Sequence, residues 1–429
     1  MLSREENELA TKVGPGTPMG DTLRRYWMPA LLRRELPEPD CTPVRLRLLG
    51  EDLVAFRDTN GDIGVLDEQC PHRLASLWLG RNEGAGLRCV YHGWKFDIHG
   101  NCVEQMNEPV EFKDKIKVKS YPAVELGDVI WVYMGPAEKK PPLPNFEYLR
   151  VSENHRGVTK VIQECNWLQA LEGGIDSSHA PILHRQLKEG ASAEGIQPST
   201  PFVRGGAPTL EVDVTDYGYR YTGIRPLGDD EQYVRGYHFI MPFTQLRPQQ
   251  VGRAGAPDRE MVAGHHWVPL DDHNVMVWNF HYSFGSEEMS EKERTMEGSA
   301  NGWPNVDQVT FRAAGNIRNN WLIDREIQKT ETFTGITGIN AQDRAVQESM
   351  GHIVDRTREH LGPADSAVIA MRKLVLEAAR DVGEGDHPRG AHTTSYYNIR
   401  AIEKVFDANR PWRDVLLPEM YPEEAPTAG

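Results

Sequence analysis

The sequence predicts an α+β chain of two successive domains: an all-β domain, then a larger one in which an antiparallel sheet is wrapped by helices. Three observations carry that prediction. From about residue 40 to 134, short alternating or β-branched runs recur with turn residues between them, as in an all-β module. Gly135-Pro136-Ala137-Glu138-Lys139-Lys140-Pro141-Pro142-Leu143-Pro144 then reads as a linker, because its Pro and Lys content suits an exposed, semi-rigid connector. Beyond it, helical periodicity at 164 to 180, 305 to 329 and 341 to 381 flanks a strand-like region from 209 to 283.

In order, residues 3 to 12 predict a short helix, with Ser3 and Glu6 forming a capping box and Gly14-Pro15-Gly16-Thr17-Pro18 ending it. A second helical stretch spans about 20 to 27, before Pro29, and residues 1 to 39 are expected to pack on the second domain. Val44-Arg45-Leu46-Arg47-Leu48, Leu53-Val54-Ala55-Phe56 and Ile63-Gly64-Val65-Leu66 read as strands, and Asn60-Gly61 is a hairpin turn. Val129-Ile130-Trp131-Val132-Tyr133 closes the β domain, assigned to residues 40 to 134. In the second domain, 145 to 417, Met261 to Val268 and Asn274 to Phe280 are strands joined by a turn at Asp271-Asp272-His273. The Pro- and Glu-rich tail from 418 to 429 is expected to be poorly ordered.

Within the β domain, Cys70-Pro71-His72-Arg73 and Cys89-Val90-Tyr91-His92-Gly93-Trp94 place two Cys-plus-His pairs in polar stretches that follow apolar runs. Two hairpin loops closing over one centre would each supply one thiolate and one imidazole. That is the ligand set of a [2Fe–2S] cluster of the Rieske type, whose imidazoles raise the reduction potential. A structural zinc site uses the same residue types. Only Pro71 separates Cys70 from His72, however, whereas zinc modules space their first pair by two to four residues.

Composition bounds the rest. The 429 residues are 39% hydrophobic and 26% charged, with a net charge of −15, which argues against nucleic acid as a partner. No apolar run approaches the length of a membrane span, and the charged start lacks a signal-peptide core. Five cysteines do not make a disulfide framework, so a cytoplasmic protein is the expectation.

The second chemical motif lies in Asn166-Trp167-Leu168-Gln169-Ala170-Leu171-Glu172-Gly173-Gly174-Ile175-Asp176-Ser177-Ser178-His179-Ala180-Pro181-Ile182-Leu183-His184. On a helix Asp176 and His179 share a face, while His184 would turn away unless Pro181 releases the chain. Two histidines and a carboxylate form the ligand set of a non-haem Fe(II) that activates O₂. For the carboxylate, Asp343, Glu172 and Asp355 are the candidates. Asp343 is favoured because it opens a helical pattern after Gly335-Ile336-Thr337-Gly338; capping that helix is its plainer reading.

Both motifs resemble those of the Rieske non-haem iron oxygenases, and the resemblance covers almost the whole chain. Tyr91-His92-Gly93-Trp94-Lys95-Phe96-Asp97 is similar to the family's second cluster loop, and Asp176-x-x-His179-x-x-x-x-His184 to its mononuclear-iron motif. Gly14 to Gly20, Gln347 to Gly351 and Asp355-Arg356-Thr357 resemble the phthalate dioxygenase-like subgroup. The resemblance implies a helix-grip-like catalytic domain. It implies cluster ligands Cys70, His72, Cys89 and His92, and iron ligands His179, His184 and Asp343. Asp176 would carry electrons from cluster to iron across a subunit boundary in a homotrimer, or a multiple of three, and Asn166 would lie close to the iron. An NAD(P)H-dependent flavin or iron–sulfur reductase would be a separate partner, since the chain has no Gly-rich dinucleotide fingerprint. Leu74 departs from the family, many of whose members have glycine there.

The implied reaction inserts O₂ into an aromatic ring to give a cis-dihydrodiol; relatives with the same metals instead hydroxylate or O-demethylate. Arg204, just before the strand region, and Arg235 and Arg247 within it are the candidates, since a guanidinium facing an apolar cavity could grip an aromatic carboxylate such as a benzenedicarboxylate. The competing class, a Rieske electron-transfer protein, leaves everything beyond the linker without a purpose.

Overall fold

Trp27–Leu32 is a strand buried along its whole length, paired antiparallel with Val129–Tyr133 so that Trp27 stands opposite Tyr133. This pairing narrows the expectation that residues 1 to 39 pack on the second domain: Met1–Lys12 group with that domain, while this strand groups with the β domain. In the computed structural model, which describes residues 1–251, 258–297 and 300–423, one compact unit is Val13–Leu143 and the other is Met1–Lys12 with Pro144–Gly429. The second predicted helix is shorter and earlier, Pro18–Leu23, because Thr17 caps it by accepting from the Gly20 amide at 3.1 Å and Pro18 fits the first turn. The first helix is Arg4–Thr11, with both bonds of the Ser3–Glu6 capping box present.

The first unit contains a three-stranded sheet and two four-stranded ones. In one, Val44–Leu48, Glu51–Arg57 and Ile63–Asp67 form the expected meander, and Gly61 takes the left-handed conformation of its turn (φ +90°). In another, Leu87–Arg88, Trp94–Phe96 and Cys102–Gln105 carry the second cluster loop. Cys70 and Cys89 are buried in one core with Phe56, Leu66, Leu77, Leu87, Trp94 and Phe96.

The second unit is built on an eight-stranded sheet. Its path runs Arg156–Gln163, Val275–Ser283, Met261–Pro269, Thr244–Pro248, Glu231–Ile240, Gly218–Leu227, Thr209–Val214, all antiparallel, with Ile402–Asp407 also paired to Glu231–Ile240. Helix Trp167–Ile175 lies against this sheet at a closeness only glycine allows. A Cβ at Gly174 would stand 2.1 Å from the Trp267 ring, and one at Gly173 would stand 1.9 Å from Gln347 Nε2. The helical expectation for 305 to 329 is corrected to a short 3-10 stretch, kinked where Asn320 and Trp321 turn left-handed, followed by helix Arg325–Thr330. That for 341 to 381 divides into Ile339–Ser349 and Ser366–Gly383. The disordered-tail expectation is corrected as well. Helix Trp412–Met420 runs through Pro418, because Leu416 and Met420 are buried against Val234 and Ile402; residues 424–429 lie outside the described residues. Among the described residues no helix is long and apolar enough to cross a membrane.

The sheet buries several histidines in neutral form. Burial lowers the pKa of His238 and His266 to about 3 and that of His281 to about 4. Their unfolded value is about 6.5, so between about pH 6.5 and pH 3 to 4 the unfolded chain binds more protons than the folded one. Stability is therefore complete above that window and falls with pH inside it, by about 1.4 kcal/mol per pH unit for each histidine. Urea midpoints measured from pH 7 to 5 should fall steeply, and less steeply in a His238→Phe variant. Parallel curves for the two proteins would show that His238 does not contribute.

Candidate active site

The two Cys–His loops close in the same way. The Leu74 amide donates to Cys70 O at 2.8 Å and the Cys70 amide to Ala75 O at 2.9 Å; Gly93 to Cys89 O is 3.0 Å and Cys89 to Trp94 O is 2.8 Å. Each turn needs a left-handed residue four positions after its cysteine, and Leu74 (φ +60°) and Gly93 (φ +77°) provide it. The loops bring His72 and His92 to 4.4 Å between ring centroids and stack His72 on Trp94. The mutual influence of the neighbouring Cys70 and Cys89 thiols pushes Cys70 up and lowers Cys89 to about 6, so the pair already favours one thiolate. His72 Nδ1 is buried with no hydrogen-bond partner among the described residues. Two soft sulfur donors, two imidazoles and an orphaned ring nitrogen suit a [2Fe–2S] group, which these four residues would hold.

The second motif is shaped by a helix end. Helix Trp167–Ile175 stops at Asp176, whose backbone is extended, and a new turn, Ala180–Leu183, is flanked by His179 and His184. Pro181 thus sits in the first turn of a new helix instead of breaking an old one, and the two histidines reach each other across it. Their Nε2 atoms are 3.3 Å apart, and Asp343 Oδ1 lies 3.3 Å from each. Donor atoms about 2.1 Å from one cation and near right angles to each other lie about 3 Å apart, so this triangle fits a divalent metal.

Outer partners fix the rings. Asp176 Oδ2 accepts from His179 Nδ1 at 3.1 Å and Asp176 Oδ1 from the Ser178 amide at 2.6 Å. Gln342 Nε2 donates to Ile336 O at 2.8 Å, so its Oε1 must accept, and it does so from the His184 Nδ1–H at 2.8 Å. Both Nε2 lone pairs are left for the centre. Burial opposes a charge on His179, yet Asp176 and Asp343 outweigh it and push its pKa up to about 10. Burial likewise opposes ionisation of Asp343, but His184 and His179 hold it well below the usual carboxylate range. The group attracts positive charge and takes a proton when nothing else supplies one.

Asp176, His179, His184 and Asp343 line an open cavity with Phe202, Trp267, Val277 and Ile339. Of the arginines singled out from sequence, Arg247 and Arg235 also line it, whereas Arg204 is exposed on the short helix Pro201–Arg204 and does not. Arg235 is committed elsewhere: its Nε lies 3.1 Å from Glu403 and its Nη2 donates to Pro248 O at 2.8 Å. Asn166 is also corrected. It caps the far end of helix Trp167–Ile175, accepting from Leu168 N at 3.1 Å and donating to Thr11 O at 2.9 Å and Asp272 O at 2.8 Å. Of the rival carboxylates, Glu172 is clamped by Arg356 (2.9 Å) and Arg372 (2.7 Å), and exposed Asp355 caps a turn through Thr357. Sequence reasoning missed Gln342, whose position one residue before Asp343 was the available signal. It also missed Gln245, His265 and Asn279, polar residues within apolar strands.

Residues 26–122 match the Rieske [2Fe-2S] domain, and residues 132–427 the family described as LigXa C-terminal domain like. The chain is 39% identical to the 3-chlorobenzoate-3,4-dioxygenase oxygenase subunit of Comamonas testosteroni, covering 92% of this chain and 93% of that one. It is 37% identical to the phthalate 4,5-dioxygenase oxygenase subunit of Pseudomonas putida (96% and 94% covered). With the 5,5'-dehydrodivanillate O-demethylase oxygenase subunit of Sphingobium sp. it shares 31% (100% and 91%). Among solved structures, Pseudomonas putida CBB5 NdmA with caffeine has the same fold, with a TM-score of 0.62 at 19% identity over 92% of this chain and 99% of that one. The chain belongs to the Rieske non-haem iron oxygenases. It is the oxygenase subunit of a multicomponent system, uses O₂ with electrons from a separate reductase, and has a Rieske [2Fe–2S] cluster and a mononuclear iron as cofactors.

Two measurements follow. Leu74→Gly relieves a left-handed leucine, which costs about 1 kcal/mol, and should raise the unfolding temperature of the cluster-loaded protein. Gly93→Ala should lower it, since its Cβ would meet Met106 Cβ at 2.7 Å. Shifts of the same sign would contradict the shared turn geometry. Gln342→Leu leaves His184 Nδ1 without its acceptor and should weaken iron retention about tenfold or more in a chelator challenge; wild-type retention would remove Gln342 from the site.

Proposed function

We propose that the chain oxygenates an aromatic carboxylate, a benzenedicarboxylate or substituted benzoate, by inserting both atoms of O₂ to give a cis-dihydrodiol. The observation that carries this is Arg247 in the wall of the cavity onto which His179, His184 and Asp343 open, among Phe202, Trp267, Val277 and Ile339. Those side chains would hold a flat ring and exclude water from it, and a guanidinium can take a carboxylate bidentately. The relatives named for 3-chlorobenzoate and phthalate point the same way.

In this reading Cys70, His72, Cys89 and His92 hold the cluster, and His179, His184 and Asp343 hold the iron. When bound, the iron supplies O₂ activation with electrons relayed through the cluster. The chain's own residues do the rest. Asp176 keeps the His179 proton on Nδ1 and is the carboxylate on the electron route, which runs between subunits of a homotrimer. Gln342 does the same for His184. Arg247 turns the ring so that one edge faces the metal triangle. Arg235, neutralised by Glu403, stiffens the wall against Phe202 and Tyr237 instead of binding substrate.

The test is O₂ uptake by the reductase-coupled holoenzyme across the benzenedicarboxylates and benzoates. Arg247→Ala should raise KM at least tenfold with little change in kcat, because the anchor acts alike on ground and transition states. Arg204→Ala, on the surface, should match wild type. An unchanged KM in Arg247→Ala would remove the carboxylate anchor.

A further inference from the structure

Gln245, His265 and Asn279 stand directly opposite one another on three adjacent strands, with Thr159 continuing the row on a fourth. Residues in register point to one face of a sheet, and here Gln245, His265 and Asn279 all line the cavity. The direction of the hydrogen bonds in this row is set from its two ends. At one end the Tyr221 hydroxyl donates to Ile175 O at 2.9 Å, so toward Gln245 it can only accept. Gln245 must therefore turn Nε2 toward Tyr221, which leaves Oε1 buried with no partner among the described residues. At the other end Asn279 Nδ2 lies toward Val277 O (3.5 Å) and Thr159 Oγ1 (3.4 Å). Its Oδ1 thus faces His265 Nδ1 at 3.0 Å and takes the proton there. Burial lowers the His265 pKa to about 3, so the ring is neutral and its Nε2 is an acceptor. Among the described residues the bond to Asn279 is the only side-chain hydrogen bond the His265 ring makes.

Two acceptors on these cavity-lining residues, Gln245 Oε1 and His265 Nε2, are therefore left without a donor from the row. An anion gains nothing from either. A hydroxyl gains a hydrogen bond, and a ligand without one leaves a buried acceptor unmet. We propose that this wall reads a hydroxyl on the substrate, so that the substrate class is hydroxylated aromatic carboxylates: Arg247 takes the carboxylate, and Gln245 or His265 accepts from the ring hydroxyl. The inference rests on the aromatic-carboxylate reading above, but the hydroxyl contact can be measured apart from it.

The experiment is calorimetric titration of the metal-replete, substrate-free enzyme under anaerobic conditions with benzoate, 2-, 3- and 4-hydroxybenzoate, phenol and toluene. At least one hydroxybenzoate should bind about tenfold or more tighter than benzoate, and phenol should outbind toluene. In a Gln245→Met/His265→Phe variant that ratio should collapse toward one, while the benzoate Kd moves less than threefold. Arg247→Ala should weaken every acid and leave the hydroxyl ratio intact. The ranking in the wild type needs no variant to fold. If neither a hydroxybenzoate nor phenol outbinds its parent there, the inference is overturned, whatever the acids do. If the acids fail to bind but phenol still outbinds toluene and loses that advantage in the double variant, the carboxylate reading falls and the hydroxyl contact stands.

Discussion

Three lone pairs meeting at one point govern the second unit. His179 Nε2, His184 Nε2 and Asp343 Oδ1 stand 3.3 Å from one another, and such a group holds together only if something positive joins it or if its rings cannot turn away. Asp176 and Gln342 prevent the turning, each by accepting a hydrogen bond from an Nδ1–H. The backbone supports them in turn: Asp176 ends one helix, and Gln342 is tied to Ile336 O inside another. Gly173 and Gly174 let the first of these helices lie against Trp267 and Gln347, so the close approach of helix to sheet is what brings the motif to the cavity.

The buried carboxylate beside the metal motif is balanced locally and kept out of the chemistry. Glu172 is one helical turn from Asp176 yet is held by Arg356 and Arg372, with Glu359 completing the group. Removing one partner would leave a buried charge uncompensated, which explains why such residues cannot also serve as metal ligands or substrate anchors. Arg235 with Glu403 follows the same rule. Arg247 lines the same cavity as the metal triangle and the polar row.

In the first unit the constraint is backbone geometry. Two turns with the same hydrogen-bond pattern present a cysteine and a histidine each, and the cysteines lie within the hydrophobic core while the loop tips are exposed. Glycine fills the left-handed position in one turn. In the other it is Leu74, whose side chain is 65% exposed. The loop therefore tolerates the departure at a modest conformational cost.

Much of this was legible in the sequence because it is local. Cys70-x-His72, Cys89-x-x-His92 and Asp176-x-x-His179 are short spacings set by one turn or one loop, and the hairpins at 44 to 67 are fixed by alternation and by Asn60-Gly61. Long-range pairing was not legible. Whether Trp27–Leu32 joins one unit or the other depends on a partner about a hundred residues away, and Asn166 proved a helix cap because Thr11 and Asp272 arrive beside it. The sequence by itself determined which residue types could hold the two metal centres, since ligand chemistry and short spacing are written in the chain. Only the tertiary structure decided which carboxylate completes the triangle, which arginines line the cavity, and that Gln245, His265 and Asn279 form one row. Those outcomes depend on strand register and on which charges find partners, and no single stretch of sequence carries either.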